Sequence, residues 1–121
     1  MNVKYALMAA FVVLIVSITF SACGPDKNTC TYKVTGTAST VNVTYKNANG
    51  GTEQQSNVIV PWSYSFEIEG YGDFVYISAQ NQGKSGSVTV SILANGNERK
   101  SSTSTGAYVI ATASGSFGYW E

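Results

Sequence analysis

The chain has 121 residues, seven basic and seven acidic, with no histidine and only 12% charged residues. That length suits one domain, and a net charge of zero provides no long-range field to gather nucleic acid or anionic head groups. Polarity comes from Ser, Thr, Asn, Gln and Gly, and the aromatic content excludes a disordered chain.

The first predicted element is an N-terminal signal helix. One positive charge, Lys4, precedes an uncharged and mostly apolar run over residues 5–20, and the small residues Ser21 and Ala22 follow. This is the layout of a secretory signal. "FSAC", residues 20–23, resembles the bacterial lipobox, in which small residues precede a cysteine that becomes N-terminal and carries palmitate-type acyl chains. Phe20 stands where that motif prefers Leu. Gly24 and Pro25 then break any helix and begin a tether. The expected organisation is a lipoprotein signal peptide over residues 1–22, a lipidated tether over 23–29 and a β-sandwich domain over 30–121. Cys23 is the lipidation site. The protein is then expected in the bacterial cell envelope, attached by its lipid anchor at the outer membrane. The apolar run also reaches the lower limit of a membrane span, so an uncleaved anchor helix is an alternative, as is ordinary secretion.

The second cysteine, Cys30, has no disulfide partner if Cys23 is acylated. Its expected state is a small buried residue at the start of a strand. A catalytic thiol needs a base, and the usual one, histidine, is absent. Two cysteines without histidine also make a poor zinc site. A Cys23–Cys30 disulfide requires that the lipobox reading fail.

From Cys30 onward, apolar and polar residues alternate in short runs between turn residues, the period of half-buried strands. "CTYKVTG" puts Cys30, Tyr32 and Val34 on one face, and "TVNVTYKN" does the same for Val41, Val43 and Tyr45. Residues 47–51, "NANGG", form a turn. A weaker strand, "QSNVIV", ends at Pro61. In "WSYSFEIEG", Trp62, Tyr64, Phe66 and Ile68 alternate strictly with Ser63, Ser65, Glu67 and Glu69. "FVYISAQ" is apolar on both faces at first, as a central strand would be, and "SVTVSIL" directs Val88, Val90 and Ile92 inward. Asn95-Gly96 predicts a type I′ hairpin. "NERKSST" reads as an edge strand guarded by Arg99 and Lys100. "AYVIATAS" is the last strand and "GSFGYWE" a tail. Seven or eight strands without a further helix predict an all-β fold, an immunoglobulin-like antiparallel sandwich. A small closed barrel is the alternative.

The segments "YKVTGTASTVNVTYKNANGG" (residues 32–51), "VPWSYSF" (60–66), "VYISAQNQGKSGSVTVSILANG" (75–96) and "STGAYVIATAS" (104–114) resemble the MmpS family of mycobacterial small membrane proteins. The resemblance implies an immunoglobulin-like sandwich outside the membrane behind an N-terminal anchor. It also implies an accessory role to lipid and siderophore exporters of the resistance–nodulation–division type. Here a lipobox stands where that family keeps a transmembrane helix.

Trp62 and Tyr64 suggest a sugar-stacking platform, but they share a face with Phe66 and Ile68 and are expected in the core. Trp120, Tyr119 and Tyr71 are the better candidates for exposed stacking. Glu67, Glu69 and Asp73 are candidate ligands for a hard cation. Glu67 and Glu69 lie roughly 7 Å apart by the strand rise, yet no Asp-rich loop motif accompanies them, and a solvated face is the expectation. No hydrolase turn, zinc-protease motif or phosphate-binding loop occurs. The expected function is therefore non-enzymatic, with no catalytic residue, metal or cofactor. The resemblance implies an interaction or export-accessory subunit, with an envelope transporter or other envelope protein as partner; the lipid anchor gives the membrane as a further partner, and no nucleic acid is expected. A carbohydrate- or lipid-binding module is the alternative.

Overall fold

A strand of alternating side chains can bury only one face, so two such sheets are stable when their apolar faces meet. The computed structural model describes residues 28–69 and 72–120 and shows eight strands arranged in this way. They are β1 (Asn28–Thr35), β2 (Thr40–Lys46), β3 (Thr52–Ile59), β4 (Trp62–Ile68), β5 (Phe74–Asn81), β6 (Ser87–Ala94), β7 (Asn97–Thr105) and β8 (Ile110–Ser116). The first sheet has the order β4-β1-β6-β7 and the second β3-β2-β5-β8. Two separate sheets make an immunoglobulin-like sandwich, not a closed barrel. The pairs β1/β2, β3/β4, β5/β6 and β7/β8 occupy matching positions in the two sheets, β2–β3 and β6–β7 are hairpins within one sheet, and every pairing is antiparallel. Asn28, the turn at 47–51, residues 72–73, Asn95-Gly96 and residues 117–120 therefore gather at one end, here termed the lower end.

In β1, β2 and β6 the inward residues are those whose parity predicted it; β5, expected to be apolar on both faces, buries only the face of Val75, Ile77 and Ala79. Cys30, Tyr32, Val34, Val41, Val43, Val75, Ile77, Ala79, Val88, Val90 and Ile92 are fully buried or nearly so. The interior is a wedge. Backbones come close across it at β5/β6 and β7/β8, where Ala79, Ala94, Ala111 and Ala113 are small, and stand further apart at β1/β2 and β3/β4. Rings fill the wide side. Tyr32 packs on Tyr45 at 5.8 Å and on Phe66 at 5.5 Å between centroids, and Tyr45 packs on Tyr64 at 4.8 Å.

Several boundaries differ from the sequence expectation, each for a local reason. β1 begins at Asn28, before Cys30, because Asn95 pins it: Thr29 N–H donates to Asn95 Oδ1 at 2.9 Å and Asn95 N–H donates to the Thr29 carbonyl at 2.8 Å. Asn95 and Gly96 both have positive φ, 52° and 86°, as a type I′ turn requires. β3 starts earlier, at Thr52, and accommodates a bulge opposite Asn42, whose Oδ1 accepts the Asn57 N–H at 2.9 Å. β8 starts only at Ile110, because Gly106 and Tyr108 adopt positive φ and hold residues 106–109 in a turn. The tail is not loose, since Phe117 is buried and Trp120 packs edge-on against it at 5.7 Å. At the upper end, buried Asn81 organises the following loop, donating to the carbonyls of Ser85 and Gly106 and accepting from Gly83 N–H.

Candidate functional site

Residues of the wrong parity for the core must face outward, and the two outer faces of the sandwich are dressed differently. On the first sheet the outward side chains are mainly hydroxyls and charges, including Thr31, Lys33, Ser63, Ser65, Glu67, Thr89 and Thr103. Many of these hydroxyls satisfy one another, as in Thr31–Ser65 at 2.9 Å and Thr89–Thr103 at 2.7 Å. Such a face is already complete in water.

The second sheet is different. Its rows bring Asn42, Gln80 and Ile110 side by side, and next to them Gln54, Thr44, Ser78 and Thr112. A shallow groove of about 230 Å³ runs among Asn42, Thr44, Gln54, Ser78, Gln80 and Ile110. Large apolar side chains flank it. Ile59 is 74% exposed, Ile110 53% and Phe74 51%. Phe74 stacks on Tyr76 at 6.3 Å, with Lys46 Nζ 5.9 Å above the Phe74 ring. β3 forms the open edge beside it, with every residue from Thr52 to Asn57 exposed. Residues that present both amides and apolar surface form directional and hydrophobic contacts together, the composition of a recognition surface. Parity reasoning treated the polar positions among them as the solvated side of each strand. The signal for them was the apolar residues out of phase: Phe74 beside Val75, and Ile59 beside Val58.

The predicted site residues fall in several places. Trp62, Tyr64 and Phe66 point inward, as their alternation implies, but they are half-buried because β4 is an edge strand on the wide side of the wedge. Only Ile68 of that row is fully buried. Trp120 is not the exposed platform expected of a tail residue; it is half-buried against Phe117, and a Cβ on Gly115 would lie 2.9 Å from its Cζ3. Tyr119 is exposed at 64%. Glu67, Glu69 and Asp73 face solvent, and among the described residues no three potential ligands come together to hold a metal ion. Cys23 and Tyr71 lie outside the described residues.

Cys30 is fully buried as a free thiol on β1, and burial pushes it up from 9.0 to about 12. It is thus held as the unreactive thiol. Burial also raises the phenol of Tyr32, against the opposing pull of the Tyr76 N–H. Tyr45 is raised mainly by burial; its hydroxyl donates to Glu53 Oε1 at 3.1 Å and accepts from Gln55 Nε2 at 3.0 Å. These groups are held neutral by packing and offer no nucleophile or base.

Comparison with known proteins adds one firm relation. The family described as Mycobacterium membrane protein matches residues 8–114, a span that includes most of the N-terminal apolar run and nearly all of the sandwich. No curated protein matches the chain. A solved structure from work on the circular permutation that links two families of calcium-dependent carbohydrate-binding modules is 19% identical, with a TM-score of 0.39. The overlap covers 60% of this chain and 60% of that one, and it carries no argument about ligand. The family match runs over most of the length and agrees with the fold, and on it the chain belongs to the MmpS-type family of Mycobacterium membrane proteins.

Proposed function

We propose that this protein is a non-catalytic lipoprotein of the cell envelope, anchored through acylated Cys23, whose sandwich presents the outer face of the β3-β2-β5-β8 sheet to a partner protein of an export system. The observation behind this reading is the difference between the two outer faces. One has hydroxyls that bond to each other. The other exposes Ile59 and Ile110 beside a groove of amides, of which Asn42 accepts the Asn57 N–H and Gln80 donates to the Tyr108 carbonyl. A surface of that kind gains free energy by being covered. Lipidation is supported by the "FSAC" motif and the Gly24-Pro25 break, and membrane association by the family.

The test uses a photo-crosslinking residue at Ile110 or, as control, at Ser101 on the other face. The expected result is an adduct with an envelope transport protein from position 110 and none from position 101. Equal adducts from both, or none from either, overturn the partner assignment. Cys23→Ser should leave the chain unlabelled by a fatty-acid probe, and labelling equal to wild type removes the lipid anchor from the reading. The amide groove also favours a second reading, a neutral glycan held on the same face, because side-chain amides both donate to and accept from sugar hydroxyls. Retention on a glycan array, lost in Gln80→Ala, would replace the protein partner with that ligand.

A further inference from the structure

We propose that the lower end of the sandwich rests on the bilayer that anchors the chain, with Phe74, Tyr119 and Trp120 seated among the lipid head groups. This depends on the membrane attachment argued above and holds whether the anchor is acylated Cys23 or the apolar run itself.

The first argument is reach. β1 begins at Asn28, on the lower end, and only residues 24–27 separate it from Cys23. An extended chain spans at most about 3.3–3.6 Å per residue, so Asn28 can stand no more than about 18 Å from Cys23, or about 30 Å from the end of the apolar run. From Cys23 that leash is shorter than the roughly 23–27 Å of a seven- or eight-residue strand and keeps the lower end towards the surface; from the apolar run the orientation rests on the residues displayed there.

The second argument is what that end displays. Tyr119 and Phe74 are the exposed large apolar side chains of this end, while Ile59, Tyr108 and Ile110 lie towards the upper end. Trp120 lies beside them on the same end, its ring held against Phe117 and over Gly115. Tyr and Trp combine an apolar ring with a polar atom and favour the membrane–water interface for that reason. Two clefts open on this end. One of about 380 Å³ lies between Lys46 and Asp73, walled by Phe66 and Ile68. The other, of about 240 Å³, lies between Arg99 and Trp120. Cationic Lys46 and Arg99 are offset by Asp73 and Glu98. Lys100 also lies towards this end, as do Glu53, Glu67 and Glu69, so acidic groups outnumber basic ones; seating comes from aromatic burial, and the head groups that suit it are zwitterionic.

The two tryptophans allow a direct test, since Trp62 begins β4 at the other end, about 20 Å of strand from Ile68. The full chain is placed in phosphatidylcholine vesicles that carry a nitroxide at head-group depth, as Trp62→Phe to observe Trp120 and as Trp120→Phe to observe Trp62. Trp120 should lose most of its emission and Trp62 little, with no relief on adding salt. Adding Tyr119→Ser and Phe74→Ser to the Trp62→Phe form should restore Trp120 emission while the protein still floats with the vesicles. A chain that floats with Trp120 no more quenched than Trp62 overturns the docking alone. A chain that does not float overturns the attachment and the docking with it. Trp120 shielded from acrylamide and from the lipid nitroxide alike would indicate a second copy on this end, which also overturns the proposal.

Discussion

The hydroxyl of Tyr32, on the first sheet, crosses the sandwich and donates to the carbonyl of Lys46, on the second, at 2.7 Å. The same oxygen accepts the Tyr76 N–H at 3.3 Å. One phenol thereby ties β1 to both β2 and β5 on the wide side of the wedge. Tyr32→Phe keeps the ring and its contacts but leaves two buried backbone groups without this partner. The expected loss is about 1–3 kcal/mol, which for a domain of this size lowers Tm by roughly 4–8 °C per kcal/mol. Thermal melts of the two forms check it, with unchanged far-ultraviolet circular dichroism at 20 °C.

Alkaline pH should destabilise the fold through Cys30 first. Its folded pKa, about 12, lies above the ordinary 9.0. Above pH 9 the unfolded chain releases a proton that the folded chain retains, so stability is full below pH 9 and is lost as pH rises towards 12. The phenols of Tyr32 and Tyr45, also raised, add to the loss above pH 10. Urea midpoints measured from pH 8 to pH 11 should fall, and Cys30→Ala should flatten the curve between pH 9 and pH 10. In native conditions at pH 8 the thiol should not react with a thiol reagent until the domain opens.

Trp62→Ala should have a moderate effect. Its ring packs on Tyr45 at 5.3 Å and Tyr64 at 6.5 Å, but it is only half-buried. A fully buried Trp would cost about 3–5 kcal/mol to remove, whereas aromatic pairs contribute about 0.5–1.5 kcal/mol beyond area. The expected loss is roughly 1–3 kcal/mol, inside the range of ordinary substitutions. Chemical denaturation gives the number, and a loss within about 0.5 kcal/mol of zero would mean that the wedge is filled without it.

The Asn95-Gly96 turn separates two effects. Asn95→Gly keeps a residue that tolerates positive φ but removes the side-chain bonds to Thr29 and Asn28. Gly96→Ala keeps those bonds but places a Cβ at φ 86°, a strain of roughly 1–2 kcal/mol. Both should destabilise, but hydrogen exchange at Thr29 should accelerate selectively only in Asn95→Gly. Equal exchange in both variants would show that the amide does not hold the start of β1.

Period-2 alternation made the interior legible. Tyr32, Val43, Ile77 and Val90 are buried because each sits on the parity that its own strand declares. What alternation cannot express is the distance between sheets, which depends on residues from different strands meeting across the core. The sequence reading therefore placed Trp62, Tyr64 and Phe66 in full burial, while the width set by Tyr32 and Tyr45 leaves that edge ajar. The candidate face left little trace in the sequence: Phe74 was read as part of a central strand apolar on both faces, yet it is exposed, as is Ile110 on the neighbouring strand of the same sheet. Phe117 and Trp120 were missed as packing residues because the tail lacks a periodic run; a tight turn at Gly118, φ 89°, folds it back.

An even number of strands returns a zigzag chain to the side from which it started, and Trp120 accordingly lies on the same end as Asn28. With the anchoring proposed above, a tag or reporter joined beyond Trp120 would emerge on the anchored end and compete with whatever that end touches. The loop at residues 82–86, braced beneath by Asn81, is the attachment point that projects away from it. A probe carried there can sample the surroundings of the free end without disturbing how the domain sits.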